Sequence, residues 1–169
     1  MLINTRDFGE IEVAEEELLI FPAGIFAFEE MRKFALLSPL GEDVYPKWLQ
    51  SAEDVSPCFI VFNPFIVDEN YTVKLEPAES KLLKFLKFEQ NSADNNSSDK
   101  ADGNNADHNM ELLVIATVPS DFKKTTVNMK APIVINKEKR LAAQIIQNGD
   151  YDFKFPLYSQ STQEESTGE

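Results

Sequence analysis

One histidine and one cysteine stand in a chain of 169 residues, and these are the side chains that most often move protons or attack an electrophile near neutral pH. His108 lies in a run of Asn, Asp and Ser with nothing to orient it. Cys58 opens the apolar run 58–62 directly after Pro57, where a thiol packs as a small hydrophobe. The two offer neither a Cys–His nucleophile pair nor a Cys/His zinc cluster. Asp94, Asp99, Asp102 and Asp107 beside His108 do not follow the spacing of an EF-hand loop. Glu15-Glu16-Glu17 on an extended chain would point to alternate faces rather than at one cation. Gly9, Gly24, Gly41 and Gly149 are too scattered to cradle a phosphate. No metal and no cofactor is expected. A pair of carboxylates acting as acid and base is the one catalytic reading that 29 Asp and Glu leave open.

The chain offers instead apolar side chains on turns. Phe21-Pro22-Ala23-Gly24-Ile25-Phe26-Ala27-Phe28-Glu29 sets four large apolar residues besides Pro22 around a Pro/Gly turn, more than a solvent-facing loop normally carries. Phe21 and Phe28 read as a plug for one end of a barrel, with Ile25 and Phe26 offered to a partner. Asn63-Pro64-Phe65 closes the most apolar run, and Pro64, with no N–H to donate, stops a central ladder there, so that Phe65 opens an edge or loop. Ile25, Phe26, Phe65 and Lys130 are the candidate partner contacts. Gly9, Pro22, Gly24, Asn63, Pro64, Asn128, Pro132 and Asn136 are read as the residues that shape turns, the asparagines through Asx turns.

These positions need elements to hold them. The alternation over 10–13, joined to 2–5 through Asp7-Phe8-Gly9, predicts an opening hairpin with Gly9 at positive φ. The runs 34–37, 48–49, 58–62, 112–118 and 133–135 read as strands, 58–62 and 112–118 so continuously apolar that both their faces must be covered. Tyr71, Val73 and Leu75 share one face of a further strand, as do Val127 and Met129, and 137–139 joins 133–135 back to 141–146. One main helix is expected over about 77–88, with Pro77 in its first turn, Ala78, Leu82, Phe85 and Leu86 on its buried stripe and Lys81, Lys84 and Lys87 opposite. A single helical turn is expected over 28–32. The sum is a mostly β protein, a small antiparallel β-barrel-like domain.

Charge and composition set the limits. A net charge of −13 repels phosphate backbones, so direct nucleic-acid binding is not expected. A lone cysteine fits a reducing, cytoplasmic setting, and no export signal or membrane span is expected. In 89–109, 13 of 21 residues are Asn, Asp or Ser, too few apolar groups to offset the entropy of ordering. That segment reads as a low-complexity disordered insertion within a single domain, 1–157, and 158–169 as a disordered tail.

With these motifs in view, the chain resembles the FliW family of flagellar assembly factors over 1–157. The marks are Phe8-Gly9-Glu10-Ile11, Ile20-Phe21-Pro22-Ala23-Gly24-Ile25, Trp48-Leu49-Gln50-Ser51, Phe62-Asn63-Pro64-Phe65 and Asn128-Met129-Lys130-Ala131-Pro132-Ile133-Val134-Ile135-Asn136. Phe26 and Ala27 depart from it where the family usually has Pro and Gly. Tyr151-Asp152-Phe153-Lys154-Phe155-Pro156-Leu157 lacks the Arg-His of the family's usual ending. The resemblance implies a β-barrel-like protein without catalysis that binds two partners in turn, the RNA-binding translational repressor CsrA and cytoplasmic flagellin. Holding CsrA off the flagellin message relieves repression, and accumulating flagellin titrates the factor away. A flagellin chaperone or export adaptor with no role in translation is the alternative. Deleting 90–109 is expected to leave unfolding free energy within about 2 kcal/mol of the intact chain in urea denaturation, as follows for a segment with no core of its own.

Overall fold

The computed structural model describes residues 1–85 and 109–158; the expected insertion, apart from Asn109, and the tail beyond Tyr158 lie outside them. Chain order begins with the hairpin β1 (Leu2–Thr5) and β2 (Gly9–Glu12), then β3 (Leu19–Ile20), β4 (Lys33–Leu37), β5 (Lys47–Ser51) and β6 (Cys58–Phe62). Two short helices, α1 (Pro64–Val67) and α2 (Pro77–Leu82), precede β7 (Met110–Thr117). The chain ends with β8 (Thr126–Val127), β9 (Ile133–Asn136), β10 (Leu141–Gln144) and β11 (Phe155–Pro156).

Seven strands close on themselves in the order β7, β6, β5, β4, β3, β10, β9 and back to β7. Every pairing around the ring is antiparallel except that of β3 with β10. Closure is possible because the eight residues of β7 serve two partners along one edge, Leu113 facing Ile133 on β9 and Ala116 facing Val127 on β8. β8 and β11 continue the sheet outside the ring. The expected β-barrel is therefore the observed architecture.

The continuous apolar runs make sense once both faces are traced. Leu113 and Ile115 of β7 and Phe59 and Val61 of β6 join Leu19, Phe34 and Leu49 in the barrel interior. Leu112, Val114 and Phe62 point outward and are covered by Tyr71, Val73 and Met129. The opening hairpin covers another outer face, Ile3 and Ile11 packing over Ala35 and Leu37. Gly9 sits at φ +67°, as its turn requires. The hairpin is tied down at its turn, where the Arg6 N–H donates to Gln50 Oε1 (2.9 Å) and Arg6 Nη1 to the Cys58 carbonyl (2.9 Å). Trp48 Nε1 donates to Asp7 Oδ2 (3.0 Å).

Four local expectations change. The main helix starts at Pro77 with a capping box between Glu76 and Glu79, but stops at Leu82. Lys84 takes a positive φ of 53°, its N–H donates to Lys81 O, and the Phe85 N–H donates to Ser80 O, the Schellman pattern with lysine in the position glycine usually fills. Leu83 is the residue driven into the core, among Val134, Ala143 and Ile145, while Ala78 and Leu82 are exposed; the expected residues 86–88 lie outside the described part. Pro64 ends β6 as expected, yet the chain continues as the single turn α1, with the Asn63 side chain accepting from the Phe65 N–H (3.0 Å). Residues 28–32 form no helical turn: Phe28 bridges Ile25, 29–30 turn, and 31–32 lead irregularly into β4. Tyr71, Val73 and Leu75 do alternate inward, but among the described residues no strand pairs with them. Gln147 takes the place of one, its Oε1 accepting from the Lys74 N–H (2.9 Å) and its Nε2 donating to the Lys74 carbonyl (3.3 Å).

The outer edge of β11 is blunt. Leu157 donates to the Thr125 carbonyl (3.0 Å) and Phe155 faces Val127, so by antiparallel alternation the backbone of Pro156 between them points away from β8. Proline has no N–H to offer there.

Asn136, expected to shape a turn, does so through Oδ1, which accepts from the Lys139 N–H (3.1 Å). Its Nδ2 also donates to the carbonyls of Leu83 (2.9 Å) and Lys84 (3.3 Å) at the end of α2. Asn136→Ala is expected to cost about 2–3 kcal/mol in urea denaturation, because it removes the side-chain partner of the buried Leu83 carbonyl and of the half-buried Lys139 N–H.

Candidate protein-binding surface

The loop 21–32 caps one end of the barrel. Phe21 and Ile25 are 0% and 1% exposed and belong to the interior cluster. Gly24 holds φ +68° against the Glu29 backbone, where a Cβ would come within 2.5 Å of the Glu29 Cα. Arg32 braces the loop, Nη1 donating to the Pro22 carbonyl (2.6 Å) and Nε to that of Glu29 (3.2 Å). Ala27, standing where glycine was expected from the family pattern, sits at φ +71°, a left-handed conformation that costs a residue with a Cβ about 1–2 kcal/mol.

Phe26 projects from this loop, 48% exposed. Its N–H donates to Gln144 Oε1 (3.1 Å), and Gln144 Nε2 donates to the Ala131 carbonyl (3.2 Å). That one side chain joins the loop to the 128–132 turn. The turn is an Asx turn, Asn128 Oδ1 accepting from the N–H groups of Lys130 (3.2 Å) and Ala131 (3.0 Å), and the Pro132 carbonyl accepts from Ile145 N–H (2.9 Å). Lys130 Nζ donates to the Gly149 carbonyl (3.3 Å) and lies 5.8 Å from the centre of the Phe153 ring.

Phe65, 46% exposed on α1, meets Tyr71 edge to face at 6.5 Å. The Tyr71 hydroxyl donates to the Met129 carbonyl, so Phe65 too is linked to the 128–132 turn. Phe26, Phe65 and Lys130 are thus connected through Gln144, Tyr71 and the turn itself. Ile25 is a correction: the turn that exposes Phe26 drives its neighbour inward, and Ile25 has no surface to give a partner. Phe28 is only partly a plug, 37% exposed with one edge on Phe59 at 5.6 Å.

Nothing in these contacts primes a nucleophile. Burial pushes the Cys58 thiol up, and burial likewise raises the Tyr71 hydroxyl far above its ordinary value. The Arg6 guanidinium holds the Asp7 carboxyl below its usual range, in a contact that fastens the hairpin. Among the described residues no group of three His, Cys, Asp or Glu is placed to hold a metal ion. No helix there is long and apolar enough to cross a membrane.

The exposed aromatics that the sequence reading did not offer as contacts include Phe122, Phe153, Phe155 and Tyr158. The available signal was their interleaving with lysine, Phe122-Lys123-Lys124 and Phe153-Lys154-Phe155, beside polar turns. Phe26→Ala is expected to leave the thermal midpoint nearly unchanged while weakening a partner by about 1–3 kcal/mol. Ile25→Ala should do the reverse, lowering stability by about 2–5 kcal/mol, with calorimetric unfolding and binding titrations separating the two.

Comparison with known proteins agrees with this geometry. The family model described as FliW protein matches residues 2–157. The "Flagellar assembly factor FliW" of Syntrophomonas wolfei subsp. wolfei is 35% identical over 169 residues, covering 99% of this chain and 96% of that protein. The protein of the same name from Bacillus subtilis is 31% identical over 162 residues, with 95% and 99% covered. A solved structure described as "Crystal structure of the flagellar assembly factor FliW" superposes with a TM-score of 0.77 at 29% identity, covering 94% of this chain and 98% of that one. A match that runs through the opening hairpin, the loop and the closing turn alike places the chain in the FliW family of flagellar assembly factors.

Proposed function

We propose that the protein is a non-catalytic partner switch in the cytoplasm, binding the translational repressor CsrA and releasing it as flagellin accumulates. The observation that carries this reading is a family match from the first strand to the last, in a protein whose exposed loops present aromatic and charged side chains.

Electrostatics supports the first partner. Glu10 and Glu12 on β2, followed by Glu15, Glu16 and Glu17 in the turn after it, are all exposed, and they make this stretch acidic on a chain of net charge −13. A protein that binds RNA presents cationic groups to phosphate. Such a surface is steered toward carboxylates over distances of about a Debye length, and the same carboxylates repel RNA from the complex. Flagellin then acts by mass action, drawing the factor into a second complex.

Calorimetric titration with CsrA, repeated after saturation with flagellin from the same organism, tests the switch: tight binding that flagellin abolishes is expected. CsrA binding should also weaken, and its on-rate fall, as salt rises from about 50 to about 300 mM. Flagellin binding with no response to CsrA would replace this reading by a flagellin chaperone.

A further inference from the structure

The extended segment 71–76 ends its main-chain donors on side chains. In extended chain, the N–H groups of alternate residues share one edge. That of Thr72 donates to the Tyr151 hydroxyl (3.3 Å), that of Lys74 to Gln147 Oε1 (2.9 Å) and that of Glu76 to Glu79 Oε2 (2.8 Å). The Lys74 carbonyl accepts from Gln147 Nε2 (3.3 Å). The Gln147 amide thus makes with Lys74 the two bonds that a residue of a neighbouring strand would make. These six residues line a groove of about 650 Å³, and Ile146 and Asp150 line it with them.

The groove is more than a shield. A backbone edge that only needs protection from other chains is covered over or interrupted by proline, whereas here open space runs beside the groups that could pair. Exchange is also balanced: an incoming chain would give Lys74 the bonds that Gln147 gives it, and the freed amide would bond to water, so no backbone group is left without a partner. Ile146, 51% exposed, offers that chain an apolar contact. Glu79 belongs to the capping box of α2, so the two side chains that yield are Gln147 and Tyr151.

Charge selects the occupant. Lys74 is the one cation on the groove, against Glu76, Glu79 and Asp150, and among the described residues none of these three carboxylates forms an ion pair. The geometry points to a strand-addition site: an extended segment of another protein, with basic side chains alternating with apolar ones, lies in this groove and takes over the Thr72 and Lys74 bonds. This goes beyond the partner switch and stands without it. The chain's own end does not fit, since 159–169 carries three Glu and no Lys or Arg.

The test uses the full-length protein and a capped peptide of about six residues alternating lysine with valine, followed by amide NMR and hydrogen exchange. Addition to about 1 mM should shift and protect the Thr72 and Lys74 N–H groups and move the Gln147 side-chain amide signals toward those of a free amide. A ladder uses one edge of the peptide, so of two copies, one N-methylated at every lysine and one at every valine, one should bind and the other fail. A copy with glutamate for lysine should bind about tenfold more weakly or worse, and Asp150→Lys, at an exposed position, should cut that preference about threefold or more. Silence of the 72–76 amides, an unmoved Gln147 amide, equal binding of the two N-methylated copies, or a charge preference unchanged by Asp150→Lys each overturns the assignment. Shifts of the same amides that grow with protein concentration alone would give the groove to a second copy and overturn it too.

Discussion

The structure depends on one strand holding three neighbours. β7 runs for eight residues between β6 on one side and both β8 and β9 on the other, and only this sharing allows seven strands to form a ring with no free edge within it. The connection from β8 to β9 must then turn a corner on the barrel wall instead of making a plain hairpin. Asn128 fixes that corner, the Met129 carbonyl receives Tyr71, and Ala131 receives Gln144. The contacts that link Phe26, Phe65 and Lys130 to that corner are therefore a by-product of closure.

Interior packing reinforces the ring. Phe21 and Phe34 meet edge to face at 5.0 Å, and Phe59 extends the aromatic stack at 6.3 Å from Phe34. Side chains this large take up much of the interior of a narrow barrel. The outer faces then need separate covers, which the hairpin, the 71–76 segment and Leu83 supply. No cover is wide: each is a short element held by a few buried side chains and by side-chain amides bonded to backbone.

Those amides mark the limit of what could be read beforehand. The barrel strands and the opening hairpin were legible because apolar continuity, alternation and a Gly turn are local signals. The end of α2 was not, since the helical stripe continues in sequence past Leu82, while the chain turns at Lys84 and the Leu83 carbonyl there is bonded by Asn136, more than fifty residues away. The 71–76 segment has the alternation of a strand, but whether an alternating run is paired depends on what lies beside it, and here that is the side chain of Gln147. Within the surface, Phe26 and Phe65 were legible as apolar residues beside Pro and Gly. Ile25 was not separable from Phe26 because adjacent residues in a turn diverge by geometry that composition does not encode. Phe122 and Tyr158 lie far apart in sequence, and the β8–β11 pairing is what brings their rings together.

The proline at the sheet's outer edge has a thermodynamic corollary. With no N–H available from Pro156 on that side, association at β11 cannot draw much of its energy from new main-chain hydrogen bonds. It would come from side chains, and whatever part is due to removing ring surface from water carries a negative change in heat capacity, with binding enthalpy that grows more favourable on warming. Amide hydrogen exchange along β11 would change little in the same complex. A calorimeter and an exchange experiment would therefore give opposite impressions of how strongly that edge is engaged, and both would be right.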